Sequence, residues 1–427
     1  MSIPLDRLYH YIENIAENIY GEAVIIYRFF PNGSKKLEDL MELRAYSWHD
    51  ITVIPGIFCN DQEPLDYEYY ETCYSPDRAE WYSILKSCPI KFPRKNLNTR
   101  NNIYDQAFLL HSEQRSNNLK AYQASDWITV YYWSHALLAL DWFRYAKHIS
   151  VKKESTTQFL IYNRAWSGTR EYRLKFADLL IDNNLVVQCK MSIGFIDNTI
   201  HYRDHLFKNL HWKPTHTLEN YFVNNITPST ASADFVLEDY SSTDIEIVLE
   251  TLFEDDRLHL TEKSLRPIAL RQPFMLVATY GSLEYLRSYG FKTFDPIIDE
   301  SYDTIKDPVK RLDAIVQVMQ KISQWTDSER IKNMTCLQEI ADYNYRYFFS
   351  AEFSNLIINE LKNNLKEAVS EFNSKKSYYD WINHWDQLLL TQSVQDFINK
   401  NQDTVYPTKQ QVDIVYSKAK NYHLVSR

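Results

Sequence analysis

The sequence predicts an α/β protein with two domains built on parallel sheets, followed by a helical segment. Short apolar runs alternate with helical patterns in two successive stretches, and 427 residues exceed what one ordinary core organises. We place the domains at residues 1–150 and 151–325, and the helical segment at 326–427. The polar stretch 151–157 is expected to link the two domains.

The first half contains four short runs of β-forming residues, at 23–30, 51–59, 107–110 and 127–133. The last run leads into residues 134–147, where apolar side chains recur at helical spacing and Ser134 is suited to cap the helix. Strands that alternate with helices indicate a parallel sheet covered by helices.

The second half repeats the alternation. It predicts a strand at 158–162 and a helix at 170–182, then strands at 245–249, 274–278 and 291–294. Between the last three strands we expect a helix capped by Thr261 and starting at Glu262, and a second helix at 282–289 that ends at Gly290. This order is typical of a doubly wound sheet.

The composition excludes several classes of function. Only seven glycines are present, and neither glycine-rich phosphate-loop motif occurs. The net charge of −9 argues against a surface that coats nucleic acid throughout, but leaves room for a local basic groove. No apolar run approaches the ~20 residues that span a bilayer, and the first residues do not resemble a signal peptide. We therefore expect a cytoplasmic protein without a membrane partner.

The strongest local signal is the predicted helix start at Thr261, Glu262 and Lys263. A carboxylate in the first turn of a helix can accept hydrogen bonds from two ribose hydroxyls, while a lysine and free backbone N–H groups can meet a diphosphate. The same residues also fit an ordinary helix start with a favourable glutamate and a surface lysine.

This helix start is one of several short motifs in the chain. The motifs are DQEPL at 61–65, HSE at 111–113, YYW at 131–133, NR at 163–164, ETLF at 250–253, HLTEK at 259–263, RPI at 266–268, GFKTF at 290–294 and DESYD at 299–303. Together they resemble a family of bacteriophage glycosyltransferases, some of which modify hydroxymethylcytosine in DNA. The resemblance spreads over residues 50–315.

The resemblance implies the GT-B fold, in which two Rossmann-like domains face a cleft and the C-terminal one binds a nucleotide sugar. The donor, expected to be a UDP-sugar, would contact Arg164, Arg170, Arg173, Glu250, Thr261, Glu262 and Lys263. Such enzymes generally need no metal or other cofactor, because basic groups neutralise the leaving diphosphate. Arg170 and Arg173 also fit a solvated helix face.

An acceptor hydroxyl needs a general base when it attacks the sugar. Asp61 and Glu63 follow a predicted strand and are the first choices, with Glu113 and His111 in reserve. A solvated acidic turn is the alternative for Asp61 and Glu63, because more acidic residues follow.

The stretch 86–100 is free of acidic residues and contains Lys91, Arg94, Lys95 and Arg100. It could hold DNA phosphates, or be a solvated basic loop. His135, at a predicted helix start, is expected to face the acceptor or to pack as a capping residue. The expected activity is transfer of a sugar, with arabinose as one candidate, to hydroxymethylcytosine in double-stranded DNA. A polysaccharide, small-molecule or protein acceptor and a non-catalytic binding protein are the alternatives.

Overall fold

Two parallel β-sheets organise the part of the chain that the structure describes. A computed structural model describes residues 56–59, 108–116, 128–144, 146–223, 234–254 and 256–374. The strands, in chain order, are β1 (Gly56–Cys59), β2 (Phe108–His111), β3 (Ile128–Tyr131), β4 (Thr157–Asn163), β5 (Cys189–Ile193), β6 (Ile196–Asp197), β7 (Ile200–His201), β8 (Thr243–Leu249) and β9 (Phe274–Val277).

Eight helices accompany these strands in the same described part. They are α1 (Ser134–Trp142), α2 (Tyr172–Asp182), α3 (Leu237–Ser242), α4 (Glu262–Ala269), α5 (Ser282–Ser288), α6 (Pro308–Ser323), α7 (Asp327–Phe348) and α8 (Ala351–Ser374). Helices α6 to α8 follow one another with short connections, and α7 and α8 lie in the segment that was predicted to be helical. No helix among the described residues has the length and apolar character to cross a membrane.

The chain divides into two compact units. Of the described residues, the first unit contains those at 113–116 and between 133 and 357, and the second contains 56–59, 108–112, 128–132 and 358–374. The division predicted at residues 150 and 325 stays a prediction. Within the first unit, the Tyr345 hydroxyl of α7 donates to the carbonyl of Lys147 at 2.8 Å. Within the second, the Asn364 amide of α8 donates to the carbonyl of Tyr131 at 2.7 Å.

The second unit contains a three-stranded parallel sheet in the order β1-β2-β3. Gly56 lies opposite Phe108, and Phe108 lies opposite Ile128, so the three strands are in register at their first residues. Strands β1 and β3 lie within the apolar runs predicted at 51–59 and 127–133, and β2 is shifted by one residue from the run predicted at 107–110. The run at 23–30 lies outside the described residues.

The first unit contains a four-stranded parallel sheet in the order β5-β4-β8-β9. The chain first adds β5 on one side of β4 and then crosses to add β8 on the other side. The loops that leave β4 and β8 therefore diverge at the carboxyl edge, which is where doubly wound sheets bind ligands. This α/β architecture confirms the coarse fold prediction for the second half of the chain.

Strand β8 is buried along its whole length even though it contains two acidic residues. Glu246 pairs with Arg266 of α4 at 2.5 Å and accepts the Tyr240 hydroxyl at 2.6 Å. Asp244 pairs with Arg330 of α7 at 2.6 Å. A buried carboxylate is tolerated when it is paired and hydrogen-bonded, so these partners explain why a polar sequence occupies a central strand.

The stretch 151–157, predicted as a linker, is tied to the end of α3. The backbone N–H groups of Glu154 and Thr156 donate to Ser241 and Ser242 at 2.8 and 2.9 Å. The ammonium of Lys153 donates to the carbonyl of Tyr240 at 2.7 Å, and burial lowers its pKa to about 8. These bonds fix the approach of the chain to β4.

The strand predicted at 291–294 is absent from the structure, which is a correction to the sequence prediction. The segment follows Gly290, whose φ of +88° ends α5 as expected. The N–H and carbonyl of Lys292 both bind the side-chain amide of Asn344 in α7, at 2.8 Å each. The N–H of Phe294 donates to the carboxylate of Glu300 at 2.6 Å. Because side chains bind these backbone groups, the apolar segment packs without joining the sheet.

Candidate functional site

The end of β8 and the start of α4 are joined through the carboxylate of Glu250, which is fully buried. It accepts the backbone N–H of Thr261 at 3.0 Å, the Thr261 hydroxyl at 2.8 Å and the Ser264 hydroxyl at 2.5 Å. It also accepts the N–H of Thr251 at 3.2 Å. Glu250, which was predicted to contact the nucleotide-sugar donor, thus fixes the start of α4. A direct contact with the nucleotide sugar stays a prediction.

Helix α4 begins as the sequence predicted. Thr261 is the N-cap, and its hydroxyl accepts the N–H of Lys263. The carboxylate of Glu262 is buried in the first turn, where it binds the ammonium of Lys263 at 2.9 Å. That ammonium also donates to the Thr261 hydroxyl at 3.0 Å, and 16% of the Lys263 side chain is exposed. An anionic and a cationic group therefore stand together at the start of one helix.

His135, in the first turn of α1, lies against the same helix start. Its Nε2 is 3.3 Å from an oxygen of Glu262, and its Nδ1 is 3.3 Å from the Ser134 hydroxyl. The ring meets the ring of His259 edge to face, with centroids 4.6 Å apart. Burial lowers the pKa of His135; Glu262 opposes this effect and Lys263 adds to it. The ring is consequently neutral at pH 7.

A second ion pair lies on the loop that precedes α4. Glu113 is fully buried, with one oxygen 3.8 Å from the guanidinium of Arg257. The backbones of Gln114 and Leu258 exchange two hydrogen bonds of 2.9 Å, which attach the segment of Glu113 to this loop. Trp133 adds a bond of 2.7 Å from its indole N–H to the carbonyl of Leu260. Glu113 and His135, predicted from distant parts of the sequence, thus belong to the unit that contains α4.

The loop after β4 contains the predicted donor arginines. Arg164 is exposed in this loop, and Arg170 is half-buried in the short turn that precedes α2. Gly168, also exposed, has φ +70° with open space where a Cβ would stand. The backbone N–H groups of Trp166 and Ser167 donate to Asp197 at 2.9 and 2.7 Å, which shapes the loop.

Arg173 differs from the solvated arginine that the sequence allowed. It is buried in α2, and its guanidinium donates to the carbonyls of Ala165 at 2.6 Å, Leu249 at 2.6 Å and Glu250 at 3.0 Å. The neighbouring Tyr172 hydroxyl donates to the same Glu250 carbonyl at 2.5 Å. Arg173 therefore ties the loop after β4 to the end of β8 at the divergence of the two loops.

Six predicted site residues lie outside the described residues. They are the acids Asp61 and Glu63 and the basic residues Lys91, Arg94, Lys95 and Arg100. Their roles stay predictions.

Sequence reasoning missed His259 and Arg257 as members of the cluster. His259 is buried one residue before Leu260, and Arg257 keeps 17% of its side chain exposed. Both stand within the loop between β8 and α4. The signal that could have indicated them is their place just ahead of the capped helix, where His259 opens the HLTEK motif.

No family model, no curated protein and no solved structure matches this chain. The resemblance to bacteriophage glycosyltransferases therefore stays a prediction from the sequence motifs alone.

Proposed function

We propose that this chain is a glycosyltransferase of the GT-B type that takes its sugar from a nucleotide-sugar donor, expected to be a UDP-sugar. The supporting observation is the start of α4. There, the buried carboxylate of Glu262 and the ammonium of Lys263 stand at the carboxyl edge of a doubly wound parallel sheet. This is the place and the pair of charges that a ribose and a diphosphate would require.

In this proposal each donor group meets a residue suited to it. The ribose hydroxyls donate to Glu262, because an ionised carboxylate is a pure acceptor. The diphosphate meets Lys263 and the exposed Arg164, whose guanidinium fits phosphate oxygens. As the glycosidic bond breaks, negative charge accumulates on the diphosphate, and these cations stabilise it without a metal ion. Asp61 or Glu63 would remove the proton from the acceptor hydroxyl.

The experiment that tests the donor assignment is hydrolysis of nucleotide sugars in the absence of any acceptor. Purified protein is incubated with UDP-, GDP- and ADP-linked sugars, and the released nucleoside diphosphate is measured. We expect release from one donor class, and a large loss of release in Glu262→Ala. The matched control is Glu284→Ala, which changes an exposed acid on α5. Absence of both binding and hydrolysis across the panel would remove the proposal in favour of a non-catalytic protein.

For the acceptor, we propose hydroxymethylcytosine in double-stranded DNA, with arabinose among the candidate sugars. The supporting observation is the acid-free stretch 86–100 in a chain of net charge −9. A base inside a duplex must be flipped or distorted before its hydroxymethyl group can enter an active site. The test is mass analysis of nucleosides after incubation of hydroxymethylated DNA with donors. Modification of a polysaccharide or small molecule instead would replace the DNA acceptor and leave the donor assignment intact.

The basic stretch has its own test. If Arg94 and Lys95 contact phosphates, replacing both with alanine should reduce the steepness of the slope of log affinity against log salt concentration by about two. Donor hydrolysis, which needs no acceptor, should continue in this double variant. Unaltered salt dependence of DNA binding would make the stretch a solvated loop.

A further inference from the structure

His135 contacts the proposed ribose-binding acid rather than standing alone at its helix start. Its Nε2 lies 3.3 Å from Glu262, while Lys263 holds the other oxygen of that carboxylate at 2.9 Å. The two contacts approach the carboxylate from different elements, α1 and α4. A carboxylate held at both oxygens has one orientation, and a site needs such support to keep a binding group in place.

The surroundings of His135 fix the state of the ring. It is mostly buried, with 14% of its side chain exposed, and burial is the main reason that its pKa is lowered. A neutral imidazole has one N–H and one acceptor nitrogen. With the proton on Nε2, the N–H group stands 3.3 Å from an oxygen of Glu262, and Nδ1 can accept the Ser134 hydroxyl. Packing against His259 limits rotation of the ring.

We propose that His135 is a positioning residue that orients the carboxylate of Glu262 for the ribose hydroxyls, and thereby sets the preference for ribose over 2′-deoxyribose. This inference rests on the proposed function, because it needs Glu262 to bind a ribose. It departs from the acceptor role that the sequence predicted for His135, since the contact is with the donor side of the site.

The preference between two sugars follows from the hydrogen bonds. A site built to accept two hydroxyl protons loses a partner when the 2′-hydroxyl is missing, and so discriminates against the deoxy analogue. If Glu262 turns away, neither hydroxyl is bound well and the two nucleotides bind alike. A general loosening of the fold would instead weaken both nucleotides by the same factor and leave their ratio unchanged.

The charges around the ring give a second readout. Glu262 and Lys263 of α4, Glu250 at the end of β8 and the ring of His259 all face His135. Below its lowered pKa the ring becomes a cation beside Glu262 and competes more strongly with ribose for the carboxylate. Nucleotide affinity of the wild type should therefore decline as the ring protonates, and a variant without a titrating side chain at position 135 should lose that part of the pH dependence.

The test measures binding of UDP and 2′-deoxy-UDP by calorimetry in four variants and the wild type. His135→Leu removes the donor to Glu262, and His135→Gln restores an N–H near the position of Nε2. Glu262→Ala removes the carboxylate, and His148→Ala changes an exposed histidine as the matched control. Thermal unfolding of each variant establishes that the fold is retained. If another nucleoside diphosphate binds better than UDP, it and its 2′-deoxy form are used.

We expect His135→Leu to weaken UDP binding about tenfold, as for the loss of one hydrogen bond to a charged group, and to bring the UDP to 2′-deoxy-UDP ratio near one. His135→Gln should recover most of the ratio, and its binding should lack the acid decline of the wild type. An unchanged ratio in His135→Leu, with the ratio lost in Glu262→Ala, would overturn the inference alone. Unchanged UDP binding in Glu262→Ala, or no binding of any nucleoside diphosphate by the wild type, would overturn the proposed function and the inference with it.

Discussion

Replacing Glu250 with alanine should destabilise the first unit strongly, although the side chain lies at the edge of its sheet. The carboxylate accepts four hydrogen bonds: from the N–H groups of Thr251 and Thr261, and from the hydroxyls of Thr261 and Ser264. All four donors belong to the loop after β8 or the first turn of α4. The helix start, the end of the strand and the intervening loop therefore depend on one carboxylate.

The magnitude follows from what alanine leaves behind. The two hydroxyls can rotate toward other partners, but the two backbone N–H groups cannot, and an unsatisfied buried donor costs about 1–3 kcal/mol. The lost apolar contacts of the side chain add about 1 kcal/mol. We expect a loss on the order of 4 kcal/mol, a large part of the ~5–15 kcal/mol that stabilises a typical domain. Glu250→Gln, which keeps one acceptor oxygen, should lose less than half as much.

The assay is urea unfolding followed by tryptophan fluorescence. Trp133 is a suitable probe, because its buried indole donates to Leu260 in the same loop. The midpoint should fall for Glu250→Ala with little change in the slope, since the surface exposed on unfolding is nearly the same. Glu284→Ala, on the exposed face of α5, is the control. A difference between Glu250→Ala and this control of less than ~0.5 kcal/mol, the scatter of ordinary surface substitutions, would refute the reasoning.

Four further predictions follow from the site and its unit. If the exposed Arg164 binds the diphosphate as proposed, Arg164→Ala should lower donor hydrolysis by about 10- to 100-fold without altering urea unfolding; wild-type turnover would contradict this role. Activity should persist in excess EDTA, and a loss restored by magnesium or manganese would count against the GT-B assignment. Burial raises the pKa of Glu300 to about 7. Its contribution to the free energy of unfolding is therefore present below pH 4.5 and is lost as the pH rises through 7, by ~3 kcal/mol. Glu300→Gln should flatten the dependence of the free energy of urea unfolding on pH between pH 5 and 8, and an unchanged profile would contradict the raised pKa. Asn344→Ala should cost about 2–4 kcal/mol in urea unfolding by leaving the N–H and carbonyl of Lys292 unpaired, whereas the exposed Lys332→Ala on the same helix should cost almost nothing.

The elements that sequence reasoning predicted correctly are those with local causes. The apolar runs at β4, β8 and β9 bury themselves in the sheet, and Thr261 and Gly290 mark a helix start and a helix end through their own backbone chemistry. Strand β5, Cys189–Ile193, was not predicted although its apolar and polar residues alternate, because the run is only five residues long; in the structure it pairs with β4. The error at 291–294 has the opposite cause, since a side chain in α7 takes the hydrogen bonds that a neighbouring strand would have supplied.

The candidate site shows the same limit. The positions of Glu262 and Lys263 at a helix start could be predicted, because consecutive residues, beginning with the N-cap Thr261, determine where the helix begins. The contact between His135 and Glu262 depends on how α1 packs against α4, and no spacing in the sequence encodes it. Likewise, the sequence permits Arg173 to be solvated, and only the assembled sheet supplies the carbonyls that it binds.

Two buried arginines bind backbone carbonyls at the carboxyl edge of this sheet, in a chain that contains few glycines. With seven glycines in 427 residues, the chain does not close its loops around backbone N–H groups in glycine-rich turns. Instead, Arg173 gathers the carbonyls of Ala165, Leu249 and Glu250, and Arg311 of α6 gathers those of Phe253, Ala278 and Ile305. Burial lowers the pKa of Arg311 to about 10, yet that value leaves the guanidinium charged at pH 7. Two fixed cations therefore stand behind loops at the carboxyl edge, where carbonyl dipoles alone would repel an anionic ligand. Because they are already bound to carbonyls, they set the electrostatic background. In the proposed function, the direct contacts to a diphosphate would then fall to the exposed Arg164 and the partly exposed Lys263.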